Sequence, residues 1–351
     1  MRKNLYAQAR PRHHALSTTT FNHKESLMTT QACLGIDIAK RTFDAVLLQE
    51  GRTRHRQFAN TPAGFQQLEA WLRQQATAPI HAGLEATSCY GEALALFLHQ
   101  HHVPVSVINP ARTHAFAKSE LARTKTDKAD AALIARFVAT QQPPLWTPPP
   151  PEQRQLQGLV RRLEALQAMR QQERNRLDLE EATSLLREFI TTHLTQLEDQ
   201  IRQVQQRLRV HLRAHPVLQQ REALLQSIPG IGECTALKLL AELPSPLQCR
   251  NARQAAAYAG LCPRHRESGS SVRGKTHLSK TGNARLRKAL YLPAVVAMRY
   301  NPILREFAQR LLERGKPKMA VVGAVMRKLL HQAFGVLKHG QPFNPNHALT
   351  P

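Results

Sequence analysis

The stretch 33-CLGIDIAKRTFDAVLLQ-49 decides how the first part of the chain is read. Apolar residues alternate or cluster on either side of the polar Ala39–Thr42 step, and β-branched residues are present. It therefore reads as two short strands around a turn. One residue breaks the pattern: Asp37 is a carboxylate set in an apolar strand. Burying it is costly unless the charge is paired or metal-bound.

Working outward, residues 61–75 read as an amphipathic helix that opens with Thr61–Pro62, a cap followed by a first-turn proline. PIHAGLEAT (79–87) is a second buried-strand segment, with Glu85 near its end. GEALALFLHQH (91–101) reads as a helix, VPVSVIN (103–109) as a third core strand, and LARTKTDKADAALIARFVA (121–139) as a further helix. The order is close to β-β-β-α-β-α-β-α. It predicts a mixed α/β sheet flanked by helices, with sites at strand C-termini.

Acidic residues are scarce in this region, so those at strand edges stand out. Asp37 and Glu85 are two such acids, and Asp127 and Asp130 join them, spaced three apart on one helix face. Converging carboxylates repel, and Mg²⁺ removes that repulsion. Two ions about 4 Å apart can clamp the attacking and leaving oxygens of a phosphodiester. The plainer alternative pairs each acid with Lys40, Lys125 or Lys128.

Six prolines in residues 143–151 end this region and favour extended chain. In residues 152–226, Leu156, Leu159, Leu163 and Leu166 step by three and four. Ile190, Leu194, Leu197, Ile201, Val204 and Leu208 repeat the pattern. That is a heptad seam on two long helices, either an antiparallel hairpin or a dimer coiled coil. From Leu224 the chain becomes compact and basic. LLQSIPGIGECTALKLLAEL (224–243) resembles a helix-hairpin-helix, in which the turn at Gly230 and Gly232 offers amides to a nucleic-acid phosphate; a plain tight αα-turn is the alternative. Helices near 284–300 and 303–337 follow.

Between them lies 264-RHRESGSSVRGKTHLSKTGN-283. Residues 269–276 fit the phosphate-loop pattern G-x-x-x-x-G-K-[ST], but a phosphate loop needs a buried strand directly before and a helix directly after. Neither flank fits. The segment reads instead as a glycine-rich turn displayed between apolar helices, with a solvated, disordered linker as the alternative. Arg264, Arg266, Arg273, Lys275, Lys280 and Arg285 crowd it, with Arg287 and Lys288, against one acid, Glu267. Such cations suit a DNA phosphate and the charge that develops on it during transfer. Ser268, Ser270 and Ser271 are possible nucleophiles, with Ser279 an outlier; His265 and His277 are bases only by proximity.

The whole-chain balance agrees. Forty-nine Lys and Arg against 25 Asp and Glu leave a formal charge of +24 in 351 residues, which implies a polyanionic partner, most commonly nucleic acid. Five scattered cysteines without CxxC spacing argue against a disulfide scaffold or a zinc ribbon. No apolar run nears the ~20 residues needed to span a bilayer, so no membrane is expected as a partner and the chain is expected in the cytoplasm, at the nucleoid. Residues 1–30 read as a disordered leader, with Met28 as a second possible start.

Asp37 in GIDIAK, Glu85 in GLEAT and Asp127-x-x-Asp130 in KTDKADA resemble the blocks of the DEDD transposases of bacterial insertion sequences, the "one-ten" family related to Piv invertases. IPGIG, AYAGLCP, ESGSS and LSKTGNARLRKALYLPA resemble its C-terminal blocks, and the likeness runs over roughly residues 31–340. It implies an RNase H-like (RuvC-like) metal domain over 31–145 and a Pro-rich linker with coiled-coil arm over 146–225. It also implies a mostly α C-terminal transposase domain over 226–342, before a tail at 343–351. It further implies Mg²⁺ as cofactor and DNA strand exchange through a covalent phosphoserine. An element-encoded guide RNA and a homo-oligomer, dimer or tetramer, would be the other partners. Matching ESG to the family's block favours Ser268. Two other functions compete: a junction-type metal nuclease using water, and a non-enzymatic nucleic-acid-binding protein.

Overall fold

The computed structural model describes residues 31–86, 89–121, 126–181, 184–243, 249, 251–268 and 272–346. The leader of residues 1–30 lies outside them. The chain divides into two compact units, Met1–Pro148 and Pro149–Pro351.

In the first unit, β1 (Ala32–Ile38) and β2 (Thr42–Gln49) are the two strands of the opening stretch, joined through Ala39–Arg41. Glu50 and Gly51 both adopt positive φ, the mirror-image turn that lets β2 fold straight back into β3 (Arg52–Ala59). On β3 all but Phe58 are exposed, and Arg52, Arg54 and Arg56 mark it as a charged edge strand. α1 (Pro62–Gln75) starts where the sequence predicts, with the Thr61 hydroxyl accepting from the Gly64 amide at 3.3 Å. β4 (Ile80–Glu85), α2 (Glu92–Gln100), β5 (Val105–Ile108), α3 (Pro110–Ser119) and α4 (Asp127–Gln141) complete the unit.

The sheet order is β3-β2-β1-β4-β5. The first three strands are antiparallel, and β4 and β5 run parallel to β1. Strand alternation sorts the two faces. Leu34, Ile36, Phe43 and Leu47 pack with α1 and α2, whereas Cys33, Gly35 and Val46 face α4. Two expectations need correction. The helix expected from Leu121 begins at Asp127, capped by Thr126, whose hydroxyl accepts from the Ala129 amide. The separate α3 was not anticipated, although Asn109–Pro110 carries the same cap-and-proline signature as Thr61–Pro62.

In the second unit, α5 (Pro151–Leu177) and α6 (Leu185–Ala214) form an antiparallel hairpin within the chain. Contacts at Glu152–His211, Arg162–Gln200 and Glu173–His193 fix its direction. Its seam, including Leu156, Leu163, Leu166, Leu197, Ile201 and Leu208, belongs to one core with the helices that follow. These are α7 (Pro216–Gln226), α8 (Glu233–Glu242), α9 (Ala252–Tyr258), α10 (Ala284–Tyr300), α11 (Pro302–Glu313) and α12 (Lys318–His339). The single helix expected over 303–337 is broken at Arg314–Pro317, where Gly315 takes φ +71° and Pro317 caps α12. α12 is, among the described residues, the one helix long and apolar enough to cross a bilayer. Its Val321, Val325, Leu329 and Phe334 are instead buried in the core.

The displayed turn is corrected as well. β6 (Pro263–Ser268) and β7 (Val272–Leu278) pair as an antiparallel hairpin, with an irregularity between Arg264 and Arg266. A strand rather than a helix therefore includes Thr276, and the phosphate-loop reading fails on geometry.

Candidate active site

Gly35 allows the acidic site to form. A Cβ added there would lie 2.0 Å from the Ala131 carbonyl oxygen and 2.2 Å from the Ala135 amide nitrogen, so α4 backbone rests directly on β1. Down one face of α4, Asp127, Ala131 and Ala135 follow at intervals of four, beside Asp130, Ile134 and Val138. The apolar members pack on the sheet. The acidic members project past it, in the first turn, where the helix N-terminus favours negative charge. Asp37 follows Gly35 by two residues and shares its face. Ile36 lies opposite Leu84, so Asp37 and Glu85 come next, side by side at the ends of two parallel strands. Three elements thus bring all four predicted acids to one sheet edge.

Their mutual influence is seen at Asp37. Its carboxyl is pushed up to about 6, first by burial and then by the negative charges of Asp130, Asp127 and Glu85; only the Ile38 backbone amide opposes this. Among the described residues, none of the four acids is in an ion pair. Asp44 provides the contrast. It sits opposite Asp37 on the same face and is 5% exposed, yet both its oxygens are occupied. His55 Nε2 lies 2.6 Å from Oδ1, and Gln57 Nε2 donates to Oδ2 at 2.9 Å. One buried acid is satisfied within the sheet, and its neighbour is left repelling three others.

Four hard oxygen donors with unrelieved repulsion fit a divalent cation by chemistry. In the arrangement seen here, no three His, Cys, Asp or Glu side chains among the described residues are close enough to share one ion. The Thr113 hydroxyl of α3 hydrogen-bonds Glu85 Oε1 and also reaches the Pro110 carbonyl at 2.9 Å. Asp37, Glu85 and Asp130 line an open groove of about 990 Å³ together with Thr113, His114 and Lys118. That volume is at the upper end for small-molecule pockets and suits part of a polymer. Thr113 and the Asp44–His55 pair escaped the sequence reading, because both contacts cross between elements far apart in the chain.

In the second unit, Ser268 ends β6 opposite Val272, at the tip of the hairpin; Ser270 and Ser271 lie outside the described residues. By backbone register Arg266 is opposite Gly274 and Glu267 opposite Arg273, and Lys275 follows on β7. Arg264, Lys280, His277 and Arg285 are exposed, the last 3.7 Å from Glu164. The root of the hairpin is bolted down. Ser279, Lys280 and Asn283 amides donate to the carbonyls of Cys262, Gly260 and Tyr258 at 2.8, 3.1 and 2.7 Å. Gly282, at φ +143°, lies so close to the Tyr258 carbonyl that a Cβ would stand 2.2 Å from it. Asn283 caps α10 and also donates to Glu242 at 2.9 Å, which in turn accepts from Arg161 of the arm at 2.9 Å. In the α7–α8 turn, Gly230 (φ +105°) is packed against Ala297 and Pro293 of α10, whereas Gly232 opens α8 with free space around it.

Comparison with known proteins agrees with this layout. A DEDD transposase model of the IS110 type matches residues 34–180, and the model of the IS116/IS110/IS902 transposase family matches residues 222–309. The chain is 36% identical to the pilin gene-inverting protein of Moraxella bovis over 316 residues, which is 89% of this chain and 97% of that protein. It is 30% identical over 151 residues to the IS110 43.6 kDa protein of Streptomyces coelicolor, covering 43% of this chain and 36% of that one. Over 76 residues it is 38% identical to the IS1111A transposase of Coxiella burnetii, 22% of this chain and 21% of that one. The chain therefore belongs to the IS110 family of insertion-sequence transposases and is a DNA transposase/recombinase.

Proposed function

We propose that the chain cuts and rejoins DNA strands through a phosphoserine on Ser268, assisted by Mg²⁺ held by Asp37, Glu85, Asp127 and Asp130. The observation that carries this reading is the convergence at one sheet edge of four acids, none in an ion pair among the described residues, with Asp37 pushed up to about 6 by burial and by the others. The strand order β3-β2-β1-β4-β5, antiparallel then parallel, supports an RNase H-like (RuvC-like) domain over 31–145. Bound there, Mg²⁺, two ions in this reading, would supply charge neutralisation for the transferring phosphoryl group.

The chain's own residues do the rest. The Ser268 oxygen attacks a DNA phosphorus and gives up its proton, the bond to one bridging oxygen breaks, that oxygen leaves protonated as a strand-end hydroxyl, and the protein keeps the phosphoryl-linked strand. A freed hydroxyl on another strand reverses the step, releasing Ser268 and completing the exchange. Arg264, Arg266, Arg273, Lys275, Lys280 and Arg285 hold phosphate near the serine. Gly232 presents the amides of a helix-hairpin-helix-like turn, with Gly230 as its packed hinge. The arm from 149 to 225 and the C-terminal domain, 226–342, act as one body on this reading, since their core is continuous, while residues 146–148 fall in the first unit. The acids and the serine come from different subunits of a dimer or tetramer. A guide RNA, implied by the family likeness, is the second nucleic-acid partner alongside DNA.

The test is covalent capture on an end-labelled element substrate with Mg²⁺. Wild type should yield a protein–DNA adduct, and Ser268→Ala and Asp127→Asn should yield none. Cleavage by Ser268→Ala with no adduct would instead support a water-using nuclease. Binding with no Mg²⁺-dependent cleavage would support a non-enzymatic protein.

A further inference from the structure

On the second unit, a further group of basic residues lies outside the serine hairpin itself. Arg253 stands in the first turn of α9, and α12 brings Arg327, Lys328 and His331 alongside. Burial first, and then the positive charges of Arg327, Lys328 and Arg253, push the His331 imidazole down to about 4. No carboxylate is among the charges acting on it. Among the described residues none of the three cations is in an ion pair. Arg253 and Lys328 are exposed, and Lys328 leans over the Phe307 ring at 5.6 Å. His331 Nε2 is enclosed without a hydrogen-bond partner. Three cations beside a neutral imidazole, none of them in an ion pair among the described residues, form a concentration of positive charge that an anion relieves.

The location adds a direction. Gly323, Arg327 and His331 recur every four residues on one face of α12. Leu278, the last residue of β7, packs on Gly323, its Cδ1 3.1 Å from where a Cβ would stand. The cation cluster therefore continues from the root of the serine hairpin along α12.

We propose that Arg253, Arg327 and Lys328, with His331 beneath them, form a cradle for a nucleic-acid phosphodiester backbone and guide the strand toward the serine hairpin. This rests on the nucleic-acid reading above but not on Ser268 chemistry. A flexible chain of phosphates suits the cluster because cations on two helices can engage successive phosphates without reading sequence.

The test is equilibrium binding of full-length protein to a labelled DNA duplex and, separately, to a labelled hairpin RNA, over about 50–200 mM salt. The R253Q/R327Q/K328Q variant should flatten the log-affinity against log-salt slope by about two to three for at least one probe, close to one per lost phosphate contact. Loss on DNA only, or on RNA only, identifies which backbone occupies the cradle. An R207Q/R209Q/R213Q variant, with the same charge removed from exposed positions on α6, should keep the wild-type slope. Lys328→Gln alone, at an exposed position, should lower the slope by about one and covers a triple variant that folds poorly. A wild-type slope in both cradle variants, or equal flattening by the α6 variant, would overturn the cradle while leaving the nucleic-acid reading intact. No salt-dependent binding of either probe by wild type would overturn both.

Discussion

Asp37 shows at single-residue scale how a site is maintained against folding. Its folded-state carboxyl titrates near 6 rather than at the ordinary 3.8, so the folded chain keeps a proton that the unfolded chain has lost. Stability is therefore drained as pH rises from about 4 through 6, and the loss is complete above that. In metal-free protein Asp37→Asn should raise unfolding free energy at pH 8 by on the order of 2 kcal/mol, allowing for screening, and the gain should vanish near pH 4. Urea unfolding of both proteins at the two pH values checks this, and strand cleavage should be lost at either. Thr113→Val removes the hydroxyl that holds Glu85. Cleavage should fall roughly tenfold with stability changed by less than about 1 kcal/mol, read from initial rates and the urea midpoint.

At the scale of elements, the seat of α4 on β1 is the critical contact. Gly35→Ala would drive a methyl into the Ala131 and Ala135 backbone, and a helix cannot yield locally as a side chain can. A loss of about 2–4 kcal/mol is expected, together with loss of cleavage as Asp127 and Asp130 lift from Asp37. The urea midpoint and the adduct assay read the two effects. The same scale explains what was legible in the sequence. β1, β2, β4 and β5 were, because buried strands declare themselves by apolar runs. Asp37 and Glu85 stood out because they break or end apolar strand runs, and Asp127 and Asp130 because they lie three apart at the start of a helix. α3 was not read, being polar, although Asn109–Pro110 marked its start. The β6–β7 hairpin was read as a turn because its stability comes from bonds at its root, at Gly260, Tyr258 and Cys262, and not from apolar alternation. Thr113–Glu85 and His55–Asp44 depend on which strands become neighbours, which no local pattern encodes.

At the scale of the whole molecule, the acids and Ser268 belong to different compact units, so the proposed chemistry would draw on residues of both. If the two halves of a working site come from different subunits, mixing Ser268→Ala chains with Asp37→Asn chains should restore adduct formation that neither shows alone. Failure to recover in proven mixed oligomers would place the acids and the serine of each site in one chain. The central claim is that Ser268 carries the covalent link. Its most direct test is peptide mapping by mass spectrometry of adduct trapped from wild-type protein with Mg²⁺ and then digested with nuclease and protease. The account predicts a nucleotide phosphate on the peptide containing Ser268, fragmenting at that residue, and its absence from Asp127→Asn protein. A nucleotide on any other residue, or strand exchange that proceeds to completion with no linked peptide, would contradict it.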